Sequence, residues 1–77
     1  MKNVTVYSTP TCPFCIRVKQ FLADNEVHFE DIDVGANPDK AQEMMQKSGQ
    51  MGVPVLDIEG EIIIGFDKDK ITRALGI

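Results

Sequence analysis

The tightest constraint on this chain is a junction near its start. A β-branched and aromatic run, Val4-Thr5-Val6-Tyr7, is followed by a short loop and then by Cys12-Pro13-Phe14-Cys15. The run reads as a strand. Pro13 suits the first turn of a helix, where the N–H it lacks would find no partner. Apolar residues at Phe14, Val18, Phe21 and Leu22 carry the helical period to about residue 25. Residues 28–34 alternate polar and apolar, which predicts a second strand. A strand–helix–strand unit implies a parallel pair joined by a right-handed crossover. Further on, Asn37 is a candidate N-cap with Pro38 behind it, and a second helix should end at Gly49. Residues 53–58 and 61–64 form a predicted hairpin about Glu59-Gly60. Asp67 then caps a last helix over residues 68–75. The order β-α-β-α-β-β-α defines an α/β chain whose four-stranded mixed sheet is flanked by three helices.

With 77 residues, a single domain covering residues 1–77 is expected. The net charge of −4 and the scatter of Lys and Arg argue against nucleic-acid or anionic membrane partners. No segment approaches the roughly 18 apolar residues of a membrane helix. Residues 1–7 carry no leader pattern. The chain is therefore expected to be a complete cytoplasmic product, acting as a monomer.

The two cysteines close almost no loop, so as a staple they would contribute little. Their spacing within one helical turn puts the Cα atoms about 5–5.5 Å apart, inside the range a disulfide tolerates. They are not equivalent. Cys15 falls in line with Val18 and Leu22, on the stripe that should face the core. Cys12 falls at the cap, where free N–H groups and the positive end of the helix dipole favour a thiolate. Cys12 is thus the candidate nucleophile and Cys15 the resolving thiol. A structural zinc site would need further ligands, and His28 is the lone histidine. No metal is expected.

Tyr7, Cys12-Pro13-Phe14-Cys15, Val53-Pro54 and Gly65-Phe66-Asp67 follow the order and spacing of glutaredoxins, and the resemblance covers nearly the whole chain. It implies a thioredoxin-like fold with a cis proline at Pro54 beside the cysteines, and glutathione as reductant and cosubstrate. Its partners would be disulfide-containing or glutathionylated proteins. The backbone of Val53 would pair with the substrate like an added strand. Phe14, Gly65, Phe66, Asp67 and Lys68 would complete the glutathione site. Departures from the family pattern are Thr9 where a Lys is common, Gly52 where a Thr is usual, Ile64-Gly65 for a Gly-Gly pair, and Lys68 for an acid. The segment Gly65-Phe66-Asp67-Lys68-Asp69-Lys70-Ile71 also resembles redoxins that are reduced by thioredoxin reductase and serve ribonucleotide reductase. A third alternative within the family is an iron–sulfur cluster held between two subunits, which Pro13 disfavours.

Other residues have plainer expectations. His28 should be exposed at a strand end. Met44, Met45 and Met51 read as packing, with Met51 also placed to line a substrate groove. Arg17, Lys19, Glu59 and Glu61 read as solvated charges.

Overall fold

Side-chain alternation along the strands sorts this molecule into two cores, one on each side of a single sheet. The computed structural model describes residues 3–77. Its elements are β1 (Val4–Ser8), α1 (Pro13–Asp24), β2 (Glu30–Asp33), α2 (Pro38–Ser48), β3 (Val55–Ile58), β4 (Glu61–Ile64) and α3 (Lys68–Leu75). The strand order is β2-β1-β3-β4. β1 and β2 run parallel, with Val6 opposite Asp31 and Tyr7 opposite Ile32. β3 is antiparallel to β1, and β4 to β3, so that Val6, Leu56 and Ile63 lie in one row across the sheet.

Successive side chains of a strand point to opposite faces. Val4, Val6, Leu56, Ile58 and Ile63 therefore share one face, where they pack with Val18 and Leu22 of α1 and Ile71 and Ala74 of α3. Tyr7 and Val55 point the other way and meet Val34 and Met44, the latter from α2. Each fully buried Leu, Ile or Val side chain contributes roughly 1.5–3 kcal/mol.

The predicted elements are all present, with shifts at their ends. β2 begins at Glu30 rather than at residue 28, because the parallel ladder opens with Thr5 opposite Glu30. β3 begins at Val55 rather than at residue 53. The Val53-Pro54 peptide is cis, and Pro54 has no N–H to give to a ladder. α1 ends at Asp24. Its C-terminal carbonyls are taken by Glu26 N–H on Ala23 at 3.0 Å and Val27 N–H on Leu22 at 2.9 Å. This leaves Glu26 in the left-handed region at φ 57°, a position helix ends commonly give to glycine. Asn37 stands at the N-cap of α2 but makes no side-chain cap bond. Its Nδ2 instead donates to the Asp33 carbonyl at 2.9 Å. The hairpin turn has both central residues at positive φ, Glu59 at 52° and Gly60 at 91°, which matches the twist of the flanking strands.

A polar network that the sequence did not single out ties α2 to the sheet. Lys47 Nζ donates to Asp57 Oδ2 at 2.8 Å and to the Tyr7 hydroxyl at 3.1 Å. The Tyr7 hydroxyl donates to Glu43 Oε2 at 2.8 Å. Asp57 also accepts the Gly60 N–H at 2.9 Å, so one carboxylate holds both the helix and the turn. The Lys47 ammonium beside it keeps the Asp57 carboxyl below its ordinary 3.8, against the effect of burial.

A carboxyl with a depressed folded-state pKa stabilises fully above its unfolded value, and that stabilisation is lost as pH falls through the folded value. Asp57→Asn should therefore lower stability by on the order of 1 kcal/mol at neutral pH. Urea midpoints of wild type and variant should converge below about pH 4.

Candidate active site

β1 delivers the chain to one rim of the sheet, and the loop after it places Cys12 at the N-cap of α1. Cys12 has the extended backbone of a capping residue, φ −91° and ψ 113°. Its sulfur accepts the Cys15 N–H at 3.2 Å. A thiol thus fills the place usually taken by a Ser or Asp oxygen. The same sulfur lies 3.8 Å from the Val53 carbonyl oxygen. Loop and helix start therefore meet the segment before the cis proline at one point.

The two cysteines, both free, occupy contrasting environments. Cys12 is half-buried at the rim, whereas Cys15 is 0% exposed. Burial, followed by the hydrogen bond with Cys12, pushes the Cys15 thiol up to about 11. A backbone hydrogen bond with Thr9 and the charge of Lys19 act in the opposite direction. The helical stripe of Cys15, Val18 and Leu22 is buried as the sequence spacing predicts.

The Val53-Pro54 loop is braced from both sides. The Pro54 carbonyl accepts the Gly65 N–H at 2.9 Å, with Gly65 at φ 79° just beyond β4. The Gln50 side chain folds over Gly52, accepting its N–H at 2.7 Å and donating to its carbonyl at 3.0 Å. A Cβ at Gly52 would lie 2.6 Å from Gln50 Oε1. Gly52, where the family commonly has Thr, is thus the residue that admits this amide brace. Gln50 was not among the residues singled out from sequence, because nothing in its local pattern marks a loop brace. The Val53 N–H finds no acceptor among the described residues.

The remaining candidates divide into an exposed set and a packed set. Phe14 and Met51 are 55% and 61% exposed, and Ile64 is also open to solvent. Phe66 packs edge-on against Phe21, with centroids 5.9 Å apart. The Asp67 carboxylate caps α3 by accepting the Lys70 N–H at 3.2 Å. The Lys68 ammonium lies over the Phe21 and Phe66 rings, at 5.7 and 6.0 Å. Arg17 is not simply solvated, since its guanidinium sits 5.6 Å from the centre of the Phe14 ring. Nor is Lys19. It is half-buried and bonds Asp31 at 3.0 Å and the Ser8 hydroxyl at 3.4 Å. Sequence placed Lys19 off the apolar stripe, but a long side chain can lay its stem along the core and reach the sheet. His28 is exposed as predicted, Met44 is buried, and Met45 is only partly packed, with 39% of its surface exposed. Glu59 is exposed and accepts the Asn3 N–H at 3.1 Å. Among the described residues, no group of three His, Cys, Asp or Glu side chains could hold a metal ion, and no helix is long and apolar enough to cross a membrane.

A two-cysteine motif opening the first helix of this mixed sheet, with a cis proline alongside, defines a thioredoxin-like redox protein. A crystallised variant of a thioredoxin-like protein matches the whole chain with a TM-score of 0.92 and 34% identity, over 99% of that structure. The glutaredoxin family profile matches residues 4–63. The chain is 40% identical to a glutaredoxin-like 8.6 kDa protein of Clostridium pasteurianum from a rubredoxin operon, covering 94% of this chain and 96% of that one. The glutaredoxin-like NrdH-redoxin of Escherichia coli has a TM-score of 0.84 and 27% identity, covering 92% of each chain. The chain belongs to the glutaredoxin family.

The contrast between the cysteines gives a direct expectation. Near neutral pH, iodoacetamide should modify Cys12 and leave Cys15 intact, as read by peptide mass spectrometry. Cys15 should react only in denaturant or as pH approaches about 11. Equal labelling of both in the folded protein would contradict the burial described above.

Proposed function

We propose that this chain is a dithiol oxidoreductase that reduces protein disulfides and glutathione mixed disulfides through Cys12 and Cys15. The observation that carries this reading is the cap itself. Cys12 is half-buried at the rim, its sulfur accepts the Cys15 amide at 3.2 Å, and the second thiol, one turn away, is buried. That sulfur stands at the N-terminal end of α1.

In the reaction, the Cys12 thiolate attacks one sulfur of a partner disulfide and displaces the other as a thiol. Cys15 then attacks the Cys12 sulfur. The Cys12–Cys15 disulfide forms, and the second partner sulfur leaves as a thiol. Two electrons have passed from the cysteine pair to the partner. Two molecules of glutathione restore the dithiol and leave as glutathione disulfide. Val53, with its free N–H, would pair with the substrate backbone. Phe14, two residues after Cys12, and Met51, two residues before Val53, offer exposed apolar surface. The amides at the start of α3, near Asp67 and Lys68, could receive a carboxylate of glutathione, with Gly65 and Phe66 forming the approach. Reduction of this kind needs a reducing compartment, so the reading places the protein in the cytoplasm.

A second reading differs in the electron donor. It is a redoxin reduced by thioredoxin reductase and serving ribonucleotide reductase. Lys68 favours it, because its ammonium lies over Phe66 and Phe21 where an acid would hold the glutathione amine. Asp67 is already engaged as a cap. The likeness to the E. coli NrdH-redoxin points the same way.

Cys12→Ser should abolish all thiol transfer, whereas Cys15→Ser should keep glutathione-dependent activity, because a second glutathione can replace the resolving thiol. Equal loss in both variants would overturn the assignment of roles. The donor is decided by NADPH consumption, first with glutathione and its reductase, then with thioredoxin reductase. On the glutathione reading, Thr9→Lys combined with Lys68→Asp should lower KM for glutathione mixed disulfides with little change in kcat. An unchanged KM would favour the second reading.

A further inference from the structure

We infer that Lys19, held by Asp31 and Ser8, is a positioning residue that favours Cys15 as the attacking thiolate in the release step. The inference rests on the proposed resolving role of Cys15.

The geometry starts from helix spacing. Lys19 is four residues beyond Cys15, so the two side chains share one face of α1 a turn apart. Its ammonium is not free to swing into solvent. It donates to Asp31 Oδ2 at 3.0 Å and to Ser8 Oγ at 3.4 Å. Ser8, 2% exposed at the end of β1, donates in turn to Asp31 Oδ1 at 2.8 Å. Val6 and Asp31 are register partners, so Asp31 points to the face that carries α1. The result is a cation fixed against the sheet one helical turn along from a thiol that is fully buried.

The release step asks an unfavourable thing of Cys15. The Cys15 thiol must give up its proton in a site where burial opposes ionisation. In balanced form, the Cys15 sulfur bonds to Cys12, the Cys12–partner bond breaks, and the proton ends on the departing partner thiol. Any fixed charge near Cys15 changes the fraction ready to attack. Among the described residues, a charge on Cys12 opposes Cys15 ionisation, and the charge of Lys19, the smallest of these influences while Cys12 is free, favours it. Once Cys12 is in a mixed disulfide it carries no charge, and Lys19 remains. The other elements of this core present apolar side chains, such as Leu56 of β3 and Ile71 of α3. Asp31 acts through Lys19 by partly neutralising it, and with Asp31 uncharged the Ser8 hydroxyl still holds the ammonium in place.

This arrangement predicts effects of opposite sign, which a merely structural ion pair would not produce. Cys15 ionisation is followed by thiolate absorbance in a Cys12→Ser background. Release of a thiol partner from the Cys12 mixed disulfide is followed against pH in the otherwise intact chain. Lys19→Met should raise the pH midpoint of Cys15 ionisation and slow release by about three- to tenfold near neutral pH. Asp31→Asn should lower the midpoint and speed release by a similar factor, about three- to tenfold. Lys19→Arg should restore the wild-type midpoint. Lys19→Gln supplies a second neutral variant should Lys19→Met fail to fold. Shifts in the same direction for the Lys19 and Asp31 variants, or no shift in Cys15 ionisation, would overturn the inference. Opposite shifts in ionisation with release unchanged would support the coupling and overturn the resolving role of Cys15 instead.

Discussion

Docking of α1 against the sheet through Cys15, Val18 and Leu22 is the interaction on which the rest of this structure depends. These side chains are fully buried, and each of the two larger ones contributes roughly 1.5–3 kcal/mol to the fold. That burial fixes the roll of the helix about its own axis. Once the roll is set, the helix start projects over the sheet rim, and Cys12 has one place to go. The Val53-Pro54 loop arrives at the same rim because β3 lies beside β1. Contact between the Cys12 sulfur and the Val53 carbonyl is the outcome of both constraints. The burial that stabilises the fold also raises the Cys15 thiol, so folding energy and thiol chemistry are linked through one residue.

Charge is organised around the same frame. One ion pair clamps each face of the sheet to a helix. Lys47 and Asp57 join α2 to β3, and Lys19 and Asp31 join α1 to β2. Both lysines also reach a hydroxyl on β1, Tyr7 for one and Ser8 for the other. The central strand therefore collects polar anchors from both sides at its C-terminal end, next to the cysteine loop. Arg17 and Lys68 are arranged differently. They lie against aromatic rings and have no carboxylate partner among the described residues. Such contacts keep a cation near an apolar surface with only a small energetic contribution, roughly 0.5–1 kcal/mol at exposed sites. In a chain of net charge −4, these two cations stay beside aromatic rings.

Local sequence was a good guide wherever a residue's role depends on its near neighbours. Alternation at Val4 and Val6, the Cys15-Val18-Leu22 stripe, Pro13 and Pro38 at helix starts, and the Glu59-Gly60 turn each act within a few residues. All were legible, and so was the contrast between a buried Cys15 and a rim-placed Cys12. The ends of β2 and β3 were misplaced because a strand's length is set by its partner. Phe29 and Val53 have strand-like side chains but no ladder opposite them. Asn37 has the right residue type for a cap, yet its amide found the Asp33 carbonyl instead.

What the sequence by itself determined was the order of elements, the two-cysteine helix start and the class of chemistry that follows from it. The tertiary structure alone decided which distant groups meet. Lys47 bridging Tyr7 and Asp57, and Lys19 reaching Ser8 and Asp31, both join elements separated in the chain. The physical reason is the range of the forces involved. Propensity, capping and periodicity act over one or two turns and can be read along the chain. A long charged side chain chooses its partner only after burial has fixed which face of its helix meets the sheet.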